Sequence, residues 1–175
     1  MRLAEALLLQ SHELVWLDST KPKQVNLRRA ISSAYYAIFH LLISDSVYRL
    51  NPKLPGKFGI KVSGPLMARM GRAFQHGDMR KVCMQFQQTS LPEAVAPLLS
   101  NGVSAELKAV AKAFLDLQED RHTADYDAGK FYSRDDAIVA VETAERAFHI
   151  WRRIRNSDEI SVFMAALAFG ARWSK

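Results

Sequence analysis

A single cysteine, Cys83, stands among 175 residues, so no internal disulfide can form. That fits a reducing compartment, and a cytoplasmic protein is expected. Cys83 lies in the apolar helical context VCMQF and reads as a structural thiol rather than a reactive one. Long apolar runs are missing as well. The greasiest stretch, 160–169, is too short to span a bilayer. No basic-then-apolar leader opens the chain, because Glu5, His12 and Glu13 interrupt its first apolar residues. A soluble protein with no membrane role is therefore expected. There is no glycine-rich phosphate loop. His12-Glu13 lacks the second histidine of a metalloprotease helix, and five scattered histidines with one cysteine offer no zinc spacing. The expectation is no cofactor and no metal. Strand-like alternation, internal repeats and low-complexity blocks are also lacking.

What is present is a chain of single-domain length that is 49% hydrophobic, enough for a core without metal or disulfide. Its formal net charge is +6, which favours polyanions, nucleic acid above all. The basic residues fall into clusters: Lys21, Lys23, Arg28 and Arg29; then Lys53, Lys57 and Lys61; then Arg69, Arg72, Arg80 and Lys81; and late in the chain Arg152, Arg153 and Arg155. Each cluster alone reads as a solvated face. Together they permit a phosphate-binding surface.

The chain is organised around RRAISSAYYAIFHLL, Arg28 to Leu42. At about 100° per residue this sorts into two faces. Ala30, Ile31, Ala34, Tyr35, Ile38, Leu41 and Leu42 form a broad apolar side. Arg29, Ser33, Tyr36 and His40 stack in a narrow polar column opposite it. Such a column reads either as a solvated helix face or as a surface turned to a second polar helix or a partner chain.

Apolar periodicity and capping signals place further helices. A first runs over Arg2 to Asp18 with Leu3, Leu7, Leu14 and Leu17 in line. Asn26 can cap the second helix, which reaches Leu50. Asn51 to Gly64 reads as a long connection. Pro65 suits the first turn of a third helix carrying Leu66, Met70, Phe74, Val82 and Phe86, with Gly77 as its break or bend. Thr89 to Val103 reads as a second connection with a short helical turn. Ser104 caps a fourth helix through Leu107, Val110, Ala111, Phe114 and Leu117. Ser133 with Asp136 starts a fifth, whose stripe is Ala137, Val141, Ala144, Phe148 and Trp151. A last apolar helix, Glu159 to about Arg172, carries Phe163, Leu167 and Phe169. The predicted architecture is an all-α, up-and-down bundle of four main helices plus shorter ones, with residues 1–155 as the bundle. Residues 156–175 form a C-terminal helix packed on that bundle or at an interface.

The second informative stretch is EDRHTADYDAGKFY, Glu119 to Tyr132. On a continued helix Arg121 and Asp125 share a face, as do His122 and Tyr126. This reads either as an intrahelical pair with a helix-ending turn or as a polar cluster facing Tyr36 and His40. Arg69 with His76 also satisfies a loose Arg-then-His search. His149, beside the stripe of the fifth helix, reads as packing.

SAYYAIFH on an early helix, then QHGDMRKVCMQF with His76, Val82 and Phe86, then RHTADYD ahead of a serine-capped helix, resemble the small prokaryotic HEPN domain proteins over roughly residues 1–155. The resemblance implies a helical bundle that dimerises, hence a homodimer. It implies RNA or a nucleotide as ligand, and an antitoxin or nucleotidyltransferase partner in a toxin–antitoxin or other defence setting. Many HEPN proteins are metal-independent endoribonucleases; others are binding modules. In the RNases an Arg is followed by a polar residue and, a few positions on, a His. Arg121 and His122 match the first two positions, and Tyr126 occupies the third. Metal-free RNA cleavage needs a base near the 2′-hydroxyl and a cation near the phosphate. A phenol, which ionises near ~10 in water, is a poor base at neutral pH. The candidate catalytic residues are Arg121, His122 and Tyr126. Arg29, Ser33, Tyr36, His40, His76 and Asp125 are the candidate binding or supporting residues. Three readings stay open: a nucleic-acid- or nucleotide-binding module, an endoribonuclease toxin using Arg121, and a scaffold whose Arg121, Asp125 and Tyr126 lock helices together.

Overall fold

The apolar stripes become helices in the computed structural model, which describes residues 2–50 and 64–173. In chain order these are α1 (Leu3–Trp16), α2 (Gln24–Leu50), α3 (Gly64–Arg72), α4 (His76–Gln87), α5 (Ala105–Tyr126), α6 (Arg134–Ile154) and α7 (Asp158–Trp173), with a 3-10 turn at Ala96–Leu98. No strand occurs among the described residues. The fold is an all-α bundle, and no described helix is long and apolar enough to cross a membrane. Residues 51–63 of the first connection, with Lys53, Lys57 and Lys61, lie outside the described residues, as does the side chain of Leu66.

α2 is the central element: α1, α5 and α6 all pack on it. Ala30, Ile31, Ala34, Tyr35, Ile38 and Leu42 are buried, as their periodicity predicts. The stripes of α5 and α6 are buried in full, from Leu107 to Leu117 and from Ala137 to Trp151. Both capping serines work as expected. Ser104 Oγ accepts from Leu107 N at 3.1 Å, and Ser133 with Asp136 forms a reciprocal capping box. Glu159 at the start of α7 accepts from Ser104 Oγ at 2.7 Å and from Ser104 N at 3.0 Å, so one cap ties two helices.

α7 joins the same core rather than standing apart. Ile160, Phe163, Met164, Ala166 and Leu167 are buried, and Phe163 meets Phe86 edge-on at 4.9 Å and Trp151 at 6.4 Å. A Cβ on Gly170 would come within 3.1 Å of Val82 Cγ2, so α7 lies close against α4 there. Phe169 is instead 43% exposed. The buried carboxylate of Asp45 accepts from Trp151 Nε1 at 2.7 Å and sits 3.5 Å from Arg155 Nε.

Several sequence expectations shift. In α1 the buried line is Ala4, Ser11 and Val15, whereas Leu3 and Leu17 are exposed. Small residues let α1 approach α2 closely, with Ala4 packed near Ala37 and Phe148, and that closeness selects the phase of the helix. Asn26 does not cap α2. It lies within the first turn of the helix and donates to Asp18 Oδ2 at 2.7 Å, and the same carboxylate accepts from Lys23 N at 3.2 Å. The break in the third helical region falls at 73–75, ahead of Gly77. Phe74 turns into the core there, and Gln75 is extended (φ −104°, ψ 135°), so α4 restarts at His76. Nothing lies within 4 Å of a Cβ added to Gly77, so no close packing demands a glycine there. His149 is exposed rather than packed.

Candidate functional site

The polar column of α2 splits because α2 lies between two helices. On a helix Ser32 and Ser33 flank the line through Tyr36, one to each side. Ser33 turns to α1, where its Oγ donates to Gln10 Oε1 at 3.2 Å. Ser32 turns to α5, and its Oγ donates to Asp125 Oδ1 at 2.6 Å. Ser32, not Ser33, therefore belongs with the α5 cluster. Arg29, Tyr36 and His40 stay on the shared face.

Arg121 is the centre of that cluster. Its Nη2 donates to Tyr36 Oη at 2.8 Å, and its Nε lies 2.7 Å from Asp125 Oδ2. The Nε–H is poorly aligned with that oxygen, so the second contact is an ion pair rather than a directional hydrogen bond. The guanidinium carbon also stands 5.4 Å from the Tyr36 ring centre and 5.5 Å from that of Tyr126. Burial works against the charge, but Tyr36, Asp125 and Tyr126 outweigh it and hold the guanidinium above its ordinary pKa. Of the five N–H donors of an arginine, one faces Asp125 and one goes to Tyr36. Among the described residues the remaining three make no hydrogen bond.

Tyr126 is 67% exposed, and its ring meets that of His122 at 5.0 Å. His122 thus lies on the outer side of α5, beside Tyr126 rather than beside the Tyr36 phenol. Gln24, Val25, Arg28, Arg29, Ala124, Asp125 and Tyr126 line an open groove of about 530 Å³ where the start of α2 meets the end of α5. Arg28 builds this groove. Its Nη1 donates to the carbonyls of Ala124 (2.7 Å) and Asp127 (2.9 Å), and its Nη2 to those of Asp127 and Lys130. A cation thereby closes the C-terminus of α5. Arg29, one residue on, is exposed at the groove.

α4 brings a histidine that the sequence placed only loosely. His76 opens α4, and its ring stacks on Phe39 (4.1 Å between centres, 18° between planes) and stands 6.1 Å edge-on to Tyr36. Its Nδ1 is 2.6 Å from Tyr35 Oη. Burial lowers the pKa of His76, and the positive charge of Arg121 and the neighbouring His40 lower it further. His40, edge-on to Phe39 at 5.3 Å, is lowered by burial. Arg69 sits on α3 and is exposed, and the arginine whose charge acts on His76 is Arg121.

Tyr35, Gln118 and Arg80 were not singled out by the sequence. Burial pushes the Tyr35 phenol up, against smaller opposing effects of Gln118 and Arg121. Gln118 carried a signal: it precedes Arg121 by one helical turn and faces the same way. Among the described residues no group of three or more His, Cys, Asp or Glu could hold a metal ion. No family model, no curated protein and no solved structure matches the chain.

Proposed function

We propose that this chain is a HEPN-type bundle that binds single-stranded RNA at the groove between the start of α2 and the end of α5, with cleavage weak or absent. One observation carries the reading: the exposed Tyr126 ring, backed by the Arg121 guanidinium and flanked by His122, stands at a groove edged by Arg29. Aromatic faces accept unpaired bases of any identity, and adjacent cations track the phosphates. A duplex keeps its bases stacked and offers no such face. A homodimer, and an antitoxin or nucleotidyltransferase as physiological partner, belong to the same proposal through the sequence resemblance.

The position that would hold the general base of an RNase carries Tyr126, and Arg121 is partly neutralised by Asp125. Both support binding over catalysis. A metal-independent endoribonuclease is the second reading, favoured by the His76 imidazole, which stands 6.1 Å edge-on to the Tyr36 ring and within reach of the Arg121 charge. The test is anisotropy of a labelled oligouridylate of about twelve nucleotides, with the matching duplex as comparison, plus a chelator-treated cleavage assay. Salt-sensitive, single-strand-selective binding that weakens in Tyr126→Ala and Arg121→Ala is expected. Equal affinity for duplex, or binding untouched by both substitutions, refutes it. Cleavage in chelator that disappears in His76→Ala establishes the second reading instead.

A further inference from the structure

A hydrogen-bonded chain behind His76 decides which of its ring nitrogens carries the proton. Arg80 Nη1 donates to Gln118 Oε1 at 3.3 Å. That fixes the Gln118 amide, whose Nε2 donates to the backbone carbonyl of His76 at 3.1 Å and reaches Tyr35 Oη at 3.4 Å. Reversing the amide would oppose its oxygen to the His76 carbonyl and its NH2 to the Arg80 guanidinium. With Tyr35 Oη accepting from Gln118, the phenolic proton has one acceptor left, His76 Nδ1 at 2.6 Å. Burial of the phenol keeps that proton on Tyr35. An imidazole that accepts at Nδ1 and is neutral must carry its own proton at Nε2. The stacked Phe39 ring holds the plane in which that N–H lies.

Tyr36 and Arg121 supply further donors. Tyr36 Oη accepts from Arg121, which leaves its own O–H to donate. Arg121 keeps three N–H groups. The three side chains thus offer N–H and O–H groups around one aromatic ring. We propose that Arg121, Tyr36 and His76 together hold one phosphodiester oxyanion, with His76 as a neutral donor through Nε2–H and Tyr35 as the positioning residue that fixes its tautomer.

Charge narrows the ligand to a diester. Arg121 contributes one positive charge, offset by Asp125 at 2.7 Å, and the imidazole and phenols add none. Such a site stabilises one negative charge through aligned dipoles and does poorly with two. A second cation at His76 would stand beside Arg121 and be repelled, consistent with the direction in which its pKa moves. The proposal rests on the RNA-binding reading only for the polymer to which the diester belongs.

The test uses the dinucleotide UpU, which carries one phosphodiester and is too short to span the groove, with inorganic phosphate as the doubly charged comparison. Nitrogen-detected NMR of the imidazoles reads the tautomer directly. The free protein is expected to show His76 protonated at Nε2. UpU is expected to shift the His76 ring and the Arg121 guanidinium, and more strongly than phosphate at equal concentration near pH 7.5. Tyr35→Phe should give a mixture of His76 tautomers and weaken UpU binding about tenfold, with helical content and urea midpoint recorded alongside. His76→Gln, which keeps an N–H donor, should bind better than His76→Ala. A wild-type Nδ1–H tautomer, or a His76 ring that UpU leaves unmoved, overturns the proposal. If the oligouridylate still binds through Tyr126 when UpU fails to move His76, the groove reading survives alone. If UpU moves His76 but the oligouridylate binds no tighter than UpU, the diester site survives alone.

Discussion

Replacing Asp125 by Asn should tighten RNA binding, because it removes the charge that competes with phosphate for Arg121. The carboxylate lies 2.7 Å from Arg121 Nε, and both side chains are 22% exposed. Two unit charges about 4 Å apart interact by about 4 kcal/mol at an effective dielectric of 20, and partial exposure reduces the net value to about 1 kcal/mol. Asn keeps an oxygen for the 2.6 Å bond from Ser32, so the turn of α5 should hold. The guanidinium then meets RNA as a full cation. Neutralising one further phosphate of a single strand steepens the dependence of log K on log salt by about 0.7. Across a fourfold salt range that amounts to a factor of about 2.6, so affinity at the low-salt end should rise by about three- to tenfold. The assay is anisotropy of the labelled oligouridylate from about 50 to 200 mM salt, with Arg121→Ala as the opposite case, whose slope should flatten by a similar amount. An Asp125→Asn protein with unaltered urea midpoint and an unchanged slope would refute the reasoning, and so would weaker binding.

The remaining predictions concern caps and protonation. Arg28→Ala takes the side-chain donor from the carbonyls of Ala124 and Lys130, leaves that of Asp127 only the 3.4 Å bond from Lys130 N, and should cost about 1–2 kcal/mol, read from the urea midpoint, with faster hydrogen exchange confined first to the end of α5. Ser104→Ala removes the acceptor for Leu107 N and the donor to Glu159, and should cost about 1–2 kcal/mol. His40 and His76 have folded pKa values below their ordinary one. The unfolded chain therefore binds more protons than the native one as pH falls below about 6.5. Stability should be fully present above that pH and decline below it. The groups facing His76 are Arg121 and Gln118 of α5 and Tyr35, Tyr36 and His40 of α2, with no carboxylate among those named to rescue its charge. A His40→Asn, His76→Asn double variant should lose less of its urea midpoint between pH 7.5 and 5.5 than the parent, a comparison set by the unperturbed value near ~6.5.

Where burial alone decides, the fold was legible from the residues. The stripes of α5 and α6 repeat every three or four positions with serine caps ahead of them, and local pattern and tertiary packing agree. α1 shows the limit. Its leucines at 3, 7, 14 and 17 looked like the buried line, but small Ala4 and Ser11 allow the close approach to α2. Periodicity reports a stripe without saying which of two adjacent phases packs more tightly. The break before α4 was hidden for a related reason. Gly77 is the conspicuous residue, yet it is Phe74 turning inward that ends the run.

The candidate site was half legible for the same geometric cause. Tyr36, Arg121 and Asp125 were found because their side chains lie on the centre line of a helix face. Ser32 and Ser33 lie on either side of that line, and only the placement of α1 and α5 sorts them. Arg28 and Arg29 make the point about charge. The two sit side by side in sequence and count equally toward +6. One is spent as a cap on three carbonyls of the α5 end, while the other remains exposed at the groove. Lys23, Arg80, Lys81, Arg152, Arg153 and Arg155 are likewise paired with carboxylates. A count of basic residues therefore overstates how many cations are free to meet a polyanion. On this face the response to salt should be governed by Arg29 and Arg121, so a variant lacking both should bind RNA with a slope close to that of an uncharged surface.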